Sequence, residues 1–181
     1  MKKGILLISF IMCSMIFFGT SYAQVHLDVN AGYQMPTGDF DDSSKPGYGI
    51  GADVFAGLPL LPIQVGGRIA YNYFEAEDTF DDGNTSIIEI LPSIRYFIAP
   101  PLSPVKFFGH LGAGLYNWKS EFNVGRFTSK DDGSDFGICV GAGLQGKLGP
   151  LVGVMVMPLY HIIMTEDTNT TYLSLNVGVI F

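Results

Sequence analysis

Apolar and polar residues alternate with a period of two along most of the chain, and the pattern is clearest at its end. Over residues 171–181 one face is mostly small or polar, and the other carries Leu173, Leu175, Val177, Val179 and Phe181. Successive side chains of a β-strand point to opposite faces, so this stretch is predicted to be a strand with one apolar face. Phe181 ends the sequence on that face.

The same alternation predicts seven further strands. They cover residues 25–35, 48–58, 63–73, 86–98, 105–118, 136–147 and 151–164. Proline cannot donate to a β-ladder, so Pro92 predicts a bulge or local irregularity in the fourth of these strands. The seventh is apolar on both faces, and its inward and outward positions are expected to switch at Pro158.

The connections between these strands are of two kinds. Three are short and uncharged, and four are longer, the longest being residues 119–135. By these boundaries the longer connections hold 14 of the 17 acidic residues, and the other three lie on polar strand faces. Transmembrane barrels have an even number of strands, short periplasmic turns and longer extracellular loops. The pattern therefore predicts an all-β protein, an eight-stranded antiparallel up-and-down transmembrane β-barrel.

The N-terminus has the three parts of a secretory signal peptide. Lys2 and Lys3 precede an apolar run over residues 5–18, and Ser21 and Ala23 form a small-x-small cleavage site. Cleavage after Ala23 is expected, which divides the chain into a signal peptide, 1–23, and a barrel domain, 24–181. Cys13 lacks the small residues of a lipoprotein site before it, so a lipid anchor there is not expected.

Composition agrees with an exported barrel. The mature chain would keep one cysteine, Cys139, and hence no internal disulfide. Its net charge would move from −7 to −9, with 8 basic and 17 acidic residues. Hydrophobic content is 48%, yet no apolar run after the signal reaches the roughly 18 residues of a spanning helix. A soluble barrel would scatter charges over its outer face, whereas here one strand face has almost none.

Three segments resemble those of a known family. They are P-T-G-D-F over residues 36–40, H-L-G-A-G-L-Y over residues 110–116, and the strand ending at Phe181. Together they resemble the small eight-stranded outer-membrane proteins of the OmpA/OmpX type, in the porin-like outer membrane protein β-barrel family. The resemblance implies a monomer in a Gram-negative outer membrane, in contact with lipid and lipopolysaccharide. It also implies that the barrel-assembly machinery recognises Leu175, Val177, Val179 and Phe181.

The predicted lumen contains charges that require partners. An eight-stranded barrel is just wide enough for its interior side chains to fill it, and buried charges must be paired. We expect one structural ion network from Asp28, Asp53, Arg68, Glu89, Arg95, Lys106 and Lys147. The turn at residues 58–62 sets Asp53 opposite Arg68, because that register keeps the apolar faces together.

Catalysis and metal binding find little support in the sequence. His161 has Ile163, not a serine, as its same-face neighbour, and His26 and His110 are expected to be structural lumen residues. Residues 81–84 and 131–135 place aspartates around a glycine, but neither matches a twelve-residue calcium loop. We therefore expect no enzyme activity, no cofactor and no specific metal site, whereas weak divalent-cation association with the acidic loops stays open.

Surface contact is the function that these features favour. The chain has no basic stripe, so a nucleic-acid partner is not expected. The sequence predicts a structural and surface-interaction barrel with a closed polar lumen and acidic extracellular loops. A narrow channel for small solutes is the alternative, followed by a lipid-modifying enzyme.

Overall fold

The computed structural model describes residues 25–58, 61–76, 82–98, 104–124, 127–149, 152–165 and 169–181. The predicted signal peptide and Asp81 lie outside these residues. The strands are β1 (Val25–Thr37), β2 (Gly47–Gly57), β3 (Ile63–Glu75), β4 (Asp82–Phe97), β5 (Val105–Val124), β6 (Phe127–Lys147), β7 (Gly153–Met164) and β8 (Thr170–Ile180). A short 3₁₀-helix, Gly38–Phe40, follows β1.

The eight strands form one closed antiparallel barrel in chain order, which confirms the predicted fold class. Closure joins β1 to β8, with Val29 opposite Val179. The last residue takes part, because the backbone N–H groups of Leu27 and Phe181 each donate to the other's carbonyl, at 3.1 and 2.8 Å. Every strand therefore has a neighbour on both sides, as a barrel in hydrocarbon requires.

Buried and exposed residues alternate along the strands as predicted. In contrast to a soluble protein, the outer surface is apolar and charged side chains are buried inside. The outward side chains include exposed apolar residues on every strand, such as Ile50, Ile69, Leu111, Val140 and Val177. The inward face instead holds most of the buried polar and charged side chains. So continuous an exposed apolar surface is far larger than a soluble monomer presents. It is the surface that meets lipid.

Among the described residues, no α-helix is long and apolar enough to cross a bilayer.

The two mid-strand prolines do not change the inward and outward order of their strands. Pro92 and Pro158 both point outward, and the alternation continues past each of them. Pairing of β4 with β5 passes from Ile90↔Leu115 to Ser93↔Gly112 in unchanged register. No residue is inserted at Pro92, so a bulge there was wrong, but the ladder pairs of Leu91 and Pro92 with β5 are missing, which is the local irregularity that was the other expectation. The expected switch at Pro158 was wrong. A proline lacks the backbone N–H and so removes one hydrogen bond from the ladder. The strand can keep its register without the inserted residue of a bulge.

The longest connection was also predicted wrongly. Residues 119–124 belong to β5 and residues 127–135 belong to β6, and the two strands pair from Val105↔Gly146 to Val124↔Phe127. Outside a membrane both faces of a strand meet water, so the apolar alternation that reveals a strand disappears while its pairing persists. The pairing is supported by Lys130, whose Nζ donates to Glu121 Oε1 at 2.7 Å. We call residues 119–124 and 127–132 the projecting hairpin.

One edge of this projection has no neighbouring strand in the described structure. Pairing of β6 with β7 begins at Phe136↔Met164, so residues 127–135 pair only with β5 among the described residues. On the other side, β4 supports the hairpin as far as Asp82↔Asn123. We call residues 127–135 of β6 the free edge.

Candidate functional site

The barrel interior is organised in three layers. A buried ion network lies in the middle, with an apolar cluster on each side. The cluster toward the longer connections contains Phe74, Ile87, Leu91, Tyr116, Cys139, Ile163 and Tyr172. The cluster toward the short turns contains Phe108, Met155, Met157 and Leu159.

Arg68 joins two carboxylates at the centre of the network. Its Nε donates to Glu89 Oε1 at 2.6 Å, and its Nη1 lies 3.2 Å from Asp53 Oδ1. The same guanidinium donates to the side-chain oxygens of Asn30 and Asn176, at 3.3 and 3.4 Å. All these side chains are buried. Charge-assisted hydrogen bonds of this kind are the strong ones, and they hold Arg68 across the lumen.

Arg95 balances a second pair of acids. Asp28 and Asp53 lie directly opposite each other on β1 and β2, an arrangement that repels. Arg95 contacts both, through Nη1 to Asp28 and through Nη2 to Asp53 Oδ2 at 3.3 Å. Its guanidinium also sits 4.0 Å from the ring centroid of Phe55 and 5.0 Å from that of Phe108. Arg95 thus connects the ion network to the apolar cluster near the turns.

The structure brings together five of the seven charged residues expected in the lumen. Asp53 is paired with Arg68 in the register expected from the turn. Lys106 and Lys147 do not join the network, which corrects that expectation. Lys106 is half-buried with its ammonium 5.9 Å from the ring centroid of Phe97, and Lys147 is exposed. Both lie at turn-side strand ends, where a long flexible stem brings the ammonium to water.

The apolar clusters are a further departure from the sequence expectation of a polar plug. On β7 the inward positions are Met155, Met157, Leu159, His161 and Ile163. Because β7 is apolar on both faces, the sequence did not distinguish its inward side. Packed side chains therefore lie on both sides of the charges. Small residues make room for them, since a Cβ at Gly143 would collide with the ring of Phe108.

A serine, a histidine and a carboxylate meet between the network and the outer cluster. His161 Nε2 lies 3.0 Å from Ser174 Oγ, and His161 Nδ1 lies 3.2 Å from Glu89 Oε2. Sequence reasoning missed Ser174 because it tested only neighbours on the same strand. Across the β7–β8 ladder His161 pairs with Tyr172, which puts Ser174 diagonally beside it. Pairing the two strands from their short connection would have revealed the contact.

This triad is buried and hydrogen-bonded to its neighbours. Ser174 and His161 are each 1% exposed. Asn176 Nδ2 donates to Ser174 Oγ at 2.8 Å, and Tyr116 Oη lies 3.1 Å from His161 Nδ1. A hydrolytic serine needs a reacting carbonyl about 3 Å away and donors for the oxyanion. At 1% exposure, Ser174 offers such a carbonyl almost no accessible surface in the described structure.

In the described part of the acidic segments, the side chains do not come together as a metal-binding group. Among the described residues, no group of three or more His, Cys, Asp and Glu side chains is placed to hold a metal ion. Residues 131–135 are strand, not loop, so successive side chains point to opposite faces. Asp135 instead accepts a hydrogen bond from Trp118 Nε1 at 2.7 Å. Asp81 of the other segment lies outside the described residues.

The residues expected to signal assembly form one outward row at the end of β8. Leu175, Val177, Val179 and Phe181 are exposed on the outer surface of the folded barrel. Phe181 is 58% exposed, and the hydrogen bonds described for it are made by its backbone.

Comparisons with solved structures show the same fold. Neisserial surface protein A matches with a TM-score of 0.59 and 17% identity, over 88% of this chain and 98% of that one. Ail, the attachment invasion locus protein of Yersinia pestis, solved with the heparin analogue sucrose octasulfate, matches with a TM-score of 0.59 and 19% identity, over 89% and 100%. A major outer membrane protein from Thermus thermophilus matches with a TM-score of 0.56 and 10% identity, over 87% and 99%.

A comparison with curated protein sequences gave no significant match. The family model for the outer membrane protein beta-barrel domain matches residues 6–181, nearly the whole chain. The barrel, its lipid-facing surface and this match place the protein in the outer membrane of a Gram-negative bacterium. The chain belongs to the outer membrane protein β-barrel domain family.

Proposed function

We propose that the protein is a closed structural barrel that holds the projecting hairpin outside the membrane for contact with other molecules. The free edge carries this proposal. It is nine residues long, or about 30 Å along the strand, and it has no neighbouring strand among the described residues. Natural proteins usually cover or shorten such edges, because an unpaired edge accepts another strand.

The chemistry of the free edge indicates an extended, basic partner segment. A peptide that adds to a sheet edge gains main-chain hydrogen bonds, and side chains supply the selectivity. The free edge carries Asp131, Asp132 and Asp135, with Lys130 engaged by Glu121. Three acids against one paired base favour positively charged side chains on the partner.

The sealed lumen supports this function over solute transport. Two apolar clusters and a fully buried ion network lie in series along the barrel axis. Dispersion contacts and paired charges would both have to be broken for a solute to pass. The buried Ser174 likewise supports a structural role over lipid modification.

Photo-cross-linking tests the free edge directly. A benzoyl-phenylalanine at Ser134, on the free edge, should cross-link on whole cells to an alternating Arg-Thr peptide of eight residues. The same group at Asn117 is the matched control, because Asn117 pairs with Ser134 but lies between β4 and β6. An acidic Glu-Thr peptide should give little adduct at either position.

Two results would count against edge pairing. One is equal yield from Ser134 and Asn117, which would indicate unspecific contact with β5 and β6. The other is undiminished adduct when prolines replace alternate residues of the basic peptide, since such a peptide cannot form a ladder.

We also propose that the barrel-assembly machinery recognises the outward row of side chains that ends at Phe181. Phe181→Asp should lower the amount of barrel in the outer membrane several-fold and leave protein in the periplasm. The folded barrel itself should lose little, because the Phe181 ring is largely exposed. Quantitative immunoblotting of membrane and periplasmic fractions, at native expression, measures the effect.

Leu148→Asp is the control for this substitution. Leu148 is 73% exposed and lies beyond β6, at the same end of the barrel as Phe181. If both variants reduce membrane levels equally, the loss reflects a charge near the bilayer surface and the assembly signal is rejected.

A further inference from the structure

A cavity of about 200 Å³ lies at the loop end of the barrel. Ile87 and Ile163, both fully buried, form its base. The rings of Phe40 and Trp118 form part of its wall, and both are only partly buried. We call this cavity the mouth cup.

Five hydroxyl side chains line the mouth cup. They are Ser43, Thr85, Ser120, Thr165 and Thr170. They come from the first connection, from β4, β5 and β8, and from the residue that follows β7, so only barrel closure assembles them. Thr85 and Ser120 already bond each other at 2.9 Å. Each hydroxyl has one donor and two acceptor sites, so both retain capacity for a ligand.

Trp118 is held in a fixed orientation. Its Nε1–H donates to Asp135 Oδ2 at 2.7 Å, which fixes one edge of the indole. Its ring lies against Gly133, the residue paired with it on β6. A Cβ at Gly133 would come within 2.6 Å of Cζ2, so only glycine permits this approach. The ring is thus a preformed apolar wall.

This combination matches the chemistry of a sugar. A pyranose ring presents hydroxyls that both donate and accept, and C–H groups that suit the negative face of an aromatic ring. A hydrocarbon chain could not use the hydrogen-bonding capacity that Thr85 and Ser120 retain beside their mutual bond, whereas a sugar hydroxyl could. The lining residues carry no ionised side chain, Asp135 lies close by, and the whole chain has a net charge of −7. An anionic glycan would be repelled.

We propose that the mouth cup binds one neutral hexopyranose unit. The cavity is smaller than the roughly 300–1,000 Å³ of sites for drug-sized ligands, so one ring is the appropriate size. The unit is either a free glycoside or a sugar of lipopolysaccharide in the same leaflet. This site goes beyond the proposed surface contact and does not require a partner at the free edge.

Fluorescence provides a direct test, because Trp118 is the single tryptophan of the chain. The full barrel in phospholipid nanodiscs, free of sugar-based detergents, is titrated with methyl α-glucopyranoside and methyl β-galactopyranoside. We expect a saturable change in Trp118 emission with at least one of them. Thr85→Val and Ser120→Ala should each weaken the apparent affinity about tenfold, since each removes a hydroxyl from the cup.

Ser86→Ala is the matched control. Ser86 follows Thr85 on β4 but points to the opposite face, so its loss should leave the affinity unchanged. In nanodiscs that contain lipopolysaccharide, emission already at its saturated value would identify the lipid sugar as the ligand. An unsaturated value that still responds to the glycosides would identify a free sugar.

Three outcomes would overturn the proposal. They are no saturable response to either glycoside, an equal response in Thr85→Val and Ser120→Ala, and a response only to sucrose octasulfate or to octanol. The last would assign the cup to anions or to hydrocarbon. Failure of cross-linking at Ser134 would leave these measurements unaffected, so the two proposals are tested separately.

Discussion

Replacing Arg68 with alanine should lower the free energy of unfolding of the barrel by about 3–5 kcal/mol. Arg68 is the shared partner of Asp53 and Glu89, and all three side chains are almost fully buried. Its removal leaves Glu89 without a guanidinium partner, and a buried charge without a partner is among the most destabilising defects known. Urea unfolding in phospholipid vesicles, followed by Trp118 fluorescence, measures the loss.

A double-mutant cycle distinguishes pairing from general damage. Asp53→Ala should also destabilise, because it removes a partner from both Arg68 and Arg95. The double variant Asp53→Ala/Arg68→Ala should recover part of the summed loss. Full recovery is not expected, since Glu89 still lacks its guanidinium. Strictly additive losses would reject the pair.

Lys147→Ala is the control for the network. Lys147 is exposed at the end of β6, so its loss should change stability by no more than about 0.5 kcal/mol. If Lys147→Ala destabilised the barrel as much as Arg68→Ala, a net-charge effect would replace the network as the explanation.

The second large effect concerns conductance. The unmodified barrel should show no ion steps in planar bilayers, and neither should Asp53→Ala/Arg68→Ala. The reason is that apolar clusters close the lumen on both sides of the charges. Phe108→Ala and Tyr172→Ala each remove one aromatic ring from one of the two clusters. Adding both to Asp53→Ala/Arg68→Ala should produce discrete conductance steps.

The unmodified barrel and Asp53→Ala/Arg68→Ala are both expected not to conduct, so the prediction can be tested even if the fourfold variant folds poorly. Steps from the unmodified barrel would reject the sealed lumen altogether. Steps from Asp53→Ala/Arg68→Ala would show that the charges alone close the barrel, which is the arrangement expected from the sequence.

The strands that cross the membrane were predictable because the bilayer imposes a rule on each residue separately. Alternation placed Asp28, Asp53 and Glu89 inside, and the short turn between β2 and β3 placed Asp53 opposite Arg68. Both inferences need only local geometry. The same rule failed over residues 119–124 and 127–135, where water on both faces removes the alternation that marks a strand.

The sequence by itself therefore determined the barrel, its strand number, its lipid-facing side and the adjacent pairing of Asp53 with Arg68. Only the tertiary structure decided which side chains meet across the lumen. Asp28 meets Arg95, and His161 meets Glu89, because closure of β1 onto β8 brings distant strands within side-chain reach. The mouth cup has the same origin. Its hydroxyls come from separate elements of the barrel. They lie close together only because the registers of all eight strand pairs set which residues share one level of the barrel.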